Sequence, residues 1–89
     1  MRVVFTEEGW DDYQHWIRTD AKVLGKLNDL IEDSRRNLFT GLGKPEPLRG
    51  DLKGWWSRRI AGDHRLVYAI EGKDDAQRII VSACRYHHE

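Results

Sequence analysis

Glu46 lies between Pro45 and Pro47. A following proline disfavours the α region, and Pro45 restricts its own φ, so the carboxylate is carried on a stiff, extended loop. Lys44 and Arg49 stand close by in the chain. Such a segment is often an ordinary surface turn; as a reactive group, its carboxylate is a general base. Arg59 and Arg65 flank the turn residues Ala61-Gly62-Asp63. A three-residue loop there sets Ile60 opposite His64 and Arg59 opposite Arg65, whereas a two-residue loop puts the arginines on opposite faces. Opposed like charges destabilise a sheet by a few tenths to about 1 kcal/mol. Two guanidiniums held together suit a polyanion, most simply phosphate, although such pairs are also found solvated or bridged to carboxylates. His87 shares strand parity with Arg85, and an imidazole with its usual pKa of about 6.5 suits a general acid near neutrality.

One acid, two guanidiniums and one imidazole fit metal-independent RNA cleavage. The base takes the 2′-OH proton, the arginines hold the phosphorane, and the acid protonates the departing 5′-oxygen. DNA lacks the 2′-OH and is excluded as a substrate of this route. No metal or other cofactor is expected. Cys84, His87, His88 and Glu89 match no usual zinc spacing, and successive strand residues point to opposite faces. Gly41-Leu42-Gly43-Lys44 is not a Walker loop, because Pro45 takes the place of the magnesium-binding Ser or Thr.

The elements that must position these groups are legible in the pattern. Residues Arg2 to Phe5 read as a first strand. Thr6 caps a helix with Glu7 and Glu8 in its first turn, on which Trp10, Tyr13, Trp16 and Ile17 share a side. Asp20 caps a second helix whose stripe is Val23, Leu24, Leu27, Leu30 and Ile31, with Arg35 and Arg36 at its C-terminal end. Gly41 and Gly43 mark the exit into the Glu46 loop. Three strands follow, Trp55 to Ile60, His64 to Glu71 and Arg78 to Tyr86, with Ile60, Leu66, Tyr68 and Ile70 facing the helices. The expected fold is α+β, in the order β-α-α-β-β-β. Two helices pack on one face of a small, mostly antiparallel, four-stranded sheet.

Composition narrows the field. The chain has 89 residues, 39% hydrophobic and 10% aromatic, which suits one folding unit with a modest core. No apolar run is long enough for a membrane span or signal-peptide core, and the single Cys84 excludes an internal disulfide. A cytoplasmic protein is expected. Basic and acidic residues balance at 15 each, but 35–65 holds eight basic against three acidic. That excludes a diffuse nucleic-acid coat and leaves a focused anion-binding patch.

Gly-Lys-Pro-Glu-Pro-Leu (43–48), Trp-Ser-Arg-Arg-Ile (56–60), His-Arg-Leu-Val-Tyr (64–68) and Cys-Arg-Tyr-His (84–87), with Gly-Trp-Asp-Asp-Tyr (9–13) and Trp16, closely resemble the YoeB (Txe) toxins of the RelE/ParE toxin–antitoxin superfamily. The resemblance implies the same RelE-like ribonuclease fold. It also implies a ribosome-dependent endonuclease that cuts messenger RNA in the ribosomal A site, leaving a 2′,3′-cyclic phosphate and a 5′-hydroxyl. By position, Glu46 resembles the family's general base, Arg65 its transition-state stabiliser, His87 its acid or orienting group, and Arg59 a second phosphate ligand. Lys44 and Arg49 would contact RNA backbone. Also implied are homodimerisation and neutralisation by a YefM-type antitoxin, with DNA met only through the antitoxin complex. The family usually ends His-Tyr, whereas this chain ends His87-His88-Glu89. His88 would take the tyrosine's place, and an imidazole can stack and donate. The rival reading is a non-catalytic RNA- or protein-binding inhibitor of the ParE type, since fold alone does not decide activity.

Overall fold

Thr6 and Asp20 set the two helices. Thr6 is extended, at φ −68° and ψ 168°, and its Oγ1 accepts the Gly9 N–H at 3.1 Å, starting α1 (Glu7–Thr19). Asp20 closes α1 by donating its N–H to the Trp16 carbonyl at 3.0 Å, and its side chain accepts from Lys22 N and Val23 N to open α2 (Ala21–Arg36). One aspartate thus fixes the bend between the helices. The computed structural model describes residues 1–86.

The strands are β1 (Arg2–Phe5), β2 (Glu46–Pro47), β3 (Trp56–Ala61), β4 (His64–Glu71) and β5 (Arg78–Ala83), in the sheet order β1-β5-β4-β3-β2. β1 runs parallel to β5 and the other pairs are antiparallel. The sheet therefore has five strands rather than the four expected. The addition is two residues long, with Glu46 opposite Ser57 and Pro47 opposite Trp56. The flanking prolines hold this segment extended, and two backbone bonds fasten its ends: Arg59 N to Gly43 O at 2.7 Å, and Leu48 N to Trp55 O at 2.9 Å. A second difference lies at β5, which stops at Ala83 instead of reaching Tyr86. The Cys84 N–H turns to the Asp12 carboxylate at 3.0 Å, so the ladder ends there.

The core lies between the helices and one sheet face, around Leu27, Leu30, Ile31, Ile60, Leu66, Tyr68, Ile79 and Val81. Gly9, Tyr13 and Trp16, spaced by four and three, turn α1 toward the sheet. A β-carbon at position 9 would collide with the Val81 carbonyl, so glycine is what lets the helix approach β5. Trp10 and Ile17 consequently rotate outward and are about half exposed, against the four-residue stripe expected from sequence. Trp10 instead stacks on Tyr13 and meets Phe5 edge-on, with centroids 6.0 and 5.6 Å away. Cys84 is wholly buried, and burial, reinforced by the nearby Asp12 charge, pushes its thiol up to about 12. Among the described residues, no helix is long and apolar enough to cross a membrane.

Candidate active site

The β3–β4 hairpin decides where the arginines go. Its loop is the two residues Gly62-Asp63, with Ala61 opposite His64, yet Arg59 is still directly opposite Arg65. A bulge between Arg59 and Ala61 reconciles the two by adding one residue to β3. Ile60 therefore does not face His64, as a three-residue loop would require. The same bulge removes the sequence-based argument that a two-residue loop separates the arginines.

Glu46, Ser57, Arg59 and Arg65 fall on the sheet face away from the helices, as cross-strand pairing and period-two alternation dictate. Arg65 Nη1 reaches Glu46 Oε1 at 3.2 Å and Ser57 Oγ at 3.4 Å. The Arg65 side chain is 15% exposed and that of Glu46 59%. A half-solvated pair of this kind contributes about 0–1 kcal/mol, so an arriving phosphate competes for the guanidinium at little cost. Beside the pair, Arg59, Gly62, Asp63, Arg65 and Tyr86 line an open hollow of about 640 Å³. The opposed guanidiniums there are what an anion would neutralise.

Lys44 and Arg49 are exposed in the loop on either side of Glu46 and do not line the hollow. Lys44 adopts a left-handed backbone at φ 51°. His87 and His88, the candidate acid and stacking group, lie outside the described residues. Their parity argument assumed a strand through Tyr86, and β5 ends before it. Among the described residues, no group of three His, Cys, Asp or Glu side chains is placed to hold a metal ion.

Sequence reasoning overlooked three residues. Tyr86 stands at the end of the strand expected over Arg78 to Tyr86, but β5 stops at Ala83 and the segment after it meets β4, where the Arg65 N–H donates to the Tyr86 carbonyl at 3.1 Å. Ser57, wholly buried, steadies Arg65; its position opposite Glu46 was available only once β2 was known. Arg58 had been counted in the basic patch, yet it is fully buried on the helix side. Its guanidinium donates to Asp33, Tyr68 Oη and the carbonyls of Asn37, Thr40 and Leu42. Parity was the available signal, because Arg58 alternates with Arg59 and so must point at the core. Asp33 accepts the Leu42 N–H at 2.9 Å as well as Arg58. The Leu42 bond first, with help from Arg58 and Asn37 and against the opposing effect of burial, holds its carboxyl below the usual value of 3.8.

Two helices on one side of a mixed five-stranded sheet, with an acid and guanidiniums gathered on the other, make this a RelE-like toxin fold. The profile of the YoeB-like toxin of bacterial type II toxin-antitoxin systems matches residues 5–88. Toxin YoeB of Escherichia coli K12 is 51% identical over 88 residues, covering 99% of this chain and 100% of that one. A solved YoeB/ParE toxin from Agrobacterium tumefaciens superposes with a TM-score of 0.94 at 52% identity, covering 99% and 100% of the two chains. YoeB of Staphylococcus aureus, solved in a heterotetrameric complex with the antitoxin YefM, gives a TM-score of 0.85 at 37% identity, covering 99% of this chain and 98% of that one. The chain belongs to the YoeB-like toxin family of bacterial type II toxin–antitoxin systems.

Proposed function

We propose that this toxin is an endoribonuclease that cuts messenger RNA in the ribosomal A site. The observation that carries the reading is the Glu46 carboxylate 3.2 Å from Arg65, on the face where Arg59 opposes Arg65. Bound phosphate draws Arg65 off Glu46 and frees the carboxylate to take the 2′-OH proton. The 2′-oxygen then bonds to phosphorus, the bond to the 5′-oxygen breaks, and a 2′,3′-cyclic phosphate remains. Arg65 and Arg59 carry the charge that develops on the phosphorane, work that preorganised guanidiniums do without a metal ion. His87 gives its proton to the leaving 5′-oxygen, and His88 stacks on a base. Lys44 and Arg49 hold flanking phosphates. The partners are the translating ribosome, its message and a YefM-type antitoxin, by analogy with the staphylococcal complex; a homodimer follows the same relative. The reaction places the protein in the cytoplasm.

Primer extension on a defined message, with and without ribosomes, tests the proposal. Wild type is expected to give a ribosome-dependent stop in the A-site codon. Glu46→Gln, checked for folding by circular dichroism, should lower the cleavage rate by about 10²–10⁴-fold. Translation arrest by wild type without any cut would establish the occupancy inhibitor instead. Undiminished cutting by Glu46→Gln would remove Glu46 from the role of base.

A further inference from the structure

Tyr86 reaches the arginine hollow in a conformation that needs outside support. Its φ is 66°, a left-handed value that an aromatic residue keeps only where its surroundings over-determine it. Two consecutive residues of β4 supply the hold. The Tyr86 N–H donates to His64 Nδ1 at 2.8 Å, and the Tyr86 carbonyl accepts from the Arg65 N–H at 3.1 Å. The His64 ring is itself fixed, meeting buried Trp16 edge-on at 4.8 Å and 83°. The same indole donates to the Cys84 carbonyl at 2.8 Å, so one tryptophan orients both the imidazole and the start of the segment it holds.

We propose that His64 is a positioning residue, whose Nδ1 fastens the segment after β5 so that Tyr86 walls the arginine hollow. The partner is a backbone amide, which can only donate, so Nδ1 must be unprotonated and the proton of the neutral ring sits on Nε2. An imidazolium has no acceptor left. Protonating the ring therefore releases the segment, and the neutral ring docks it. Among the described residues, the other charged and titratable groups in this neighbourhood are His15 from α1, which interacts electrostatically with His64, Arg85, Arg18 and Asp12, and the chain neighbours Asp63 and Arg65. Arg85 also lies over the Tyr86 ring, 4.5 Å from its centroid. The docking does not depend on the nuclease reading, whereas its consequence for cleavage does.

The test is the exchange rate of the Tyr86 amide with water in the full chain, measured by NMR and referred to the unstructured-chain rate at each pH. In wild type, protection should be present at pH 8 and fall at least tenfold once the pH is low enough to protonate the imidazole. His64→Leu should lack that protection throughout, while the Leu66 and Tyr68 amides stay protected and report an intact sheet. His64→Asn, whose Oδ1 can stand in for Nδ1, should keep Tyr86 protected and lose the acid dependence. Should the nuclease activity hold, His64→Leu lowers kcat more than KM, and His64→Asn restores it. Unchanged Tyr86 protection in His64→Leu, or an acid response that persists in His64→Asn, overturns the proposal whatever the cleavage assay gives.

Discussion

Arg58 and Asp33 show how a charged side chain in a basic run can serve the interior. The guanidinium, fully buried, bonds Asp33 at 2.7 Å and Tyr68 Oη at 3.0 Å, and spends its remaining donors on three loop carbonyls between residues 37 and 42. Removing one partner leaves a buried charge or several orphaned carbonyls, so Arg58→Ala should lower stability by on the order of 3–5 kcal/mol in urea unfolding. The pair also predicts a pH dependence. Asp33 binds its proton less tightly folded than unfolded, so its contribution is full above the ordinary carboxyl value of 3.8 and is lost as pH falls further, through the depressed native value. Asp33→Asn should be less stable than wild type at pH 7, with the gap narrowing in acid. From the sequence, Arg58 and Arg59 were indistinguishable as charges. Only their opposite parity separates the structural arginine from the one at the hollow, and the expected strand Trp55 to Ile60, with Ile60 turned to the helices, already carried that signal.

The loop from the end of α2 to β2 is the element that brings Glu46 to the sheet. Gly43 is its tightest point: φ is 77°, and a β-carbon there would press on the Leu30 side chain, the Arg59 carbonyl and the Arg58 β-carbon. Gly43→Ala should therefore cost about 2–4 kcal/mol, combining left-handed strain with overpacking, and thermal unfolding would register the loss. Capping residues and apolar spacing were enough to read both helices and the three longer strands from the sequence. They could not reveal β2, because a two-residue strand carries no alternation to detect and its pairing depends on a distant partner, Ser57. Nor could they reveal the bulge beside Ala61, since the counting that places Arg59 against Arg65 assumes a regular ladder. The end of β5 escaped for a similar reason: Asp12, far away in sequence, takes the amide that would have continued it.

Across the whole molecule, balanced net charge conceals an uneven field. Of the eight cations in 35–65, Arg58 is consumed inside and Arg35 is paired with Glu32 at 2.6 Å. Arg36, Lys44, Arg49, Lys53 and Arg59 remain exposed and Arg65 half-buried, with Lys44, Arg49, Arg59 and Arg65 on or beside the Glu46 loop and the hollow. About four phosphate contacts are then available, which predicts a log–log salt slope near −3 for single-stranded RNA, measurable by titrating affinity against salt concentration. Arg58 variants that still fold should leave the slope unaltered, and Arg59→Ala should make it shallower by nearly one. The outermost strand, β2, has a further effect. Pro45 and Pro47 have no amide hydrogen to offer, so that rim cannot be zipped onto by another polypeptide, and the sheet stops growing there. Glu46 thereby keeps an unroofed approach even in a crowded cell, where a bare strand in the same place would invite self-association.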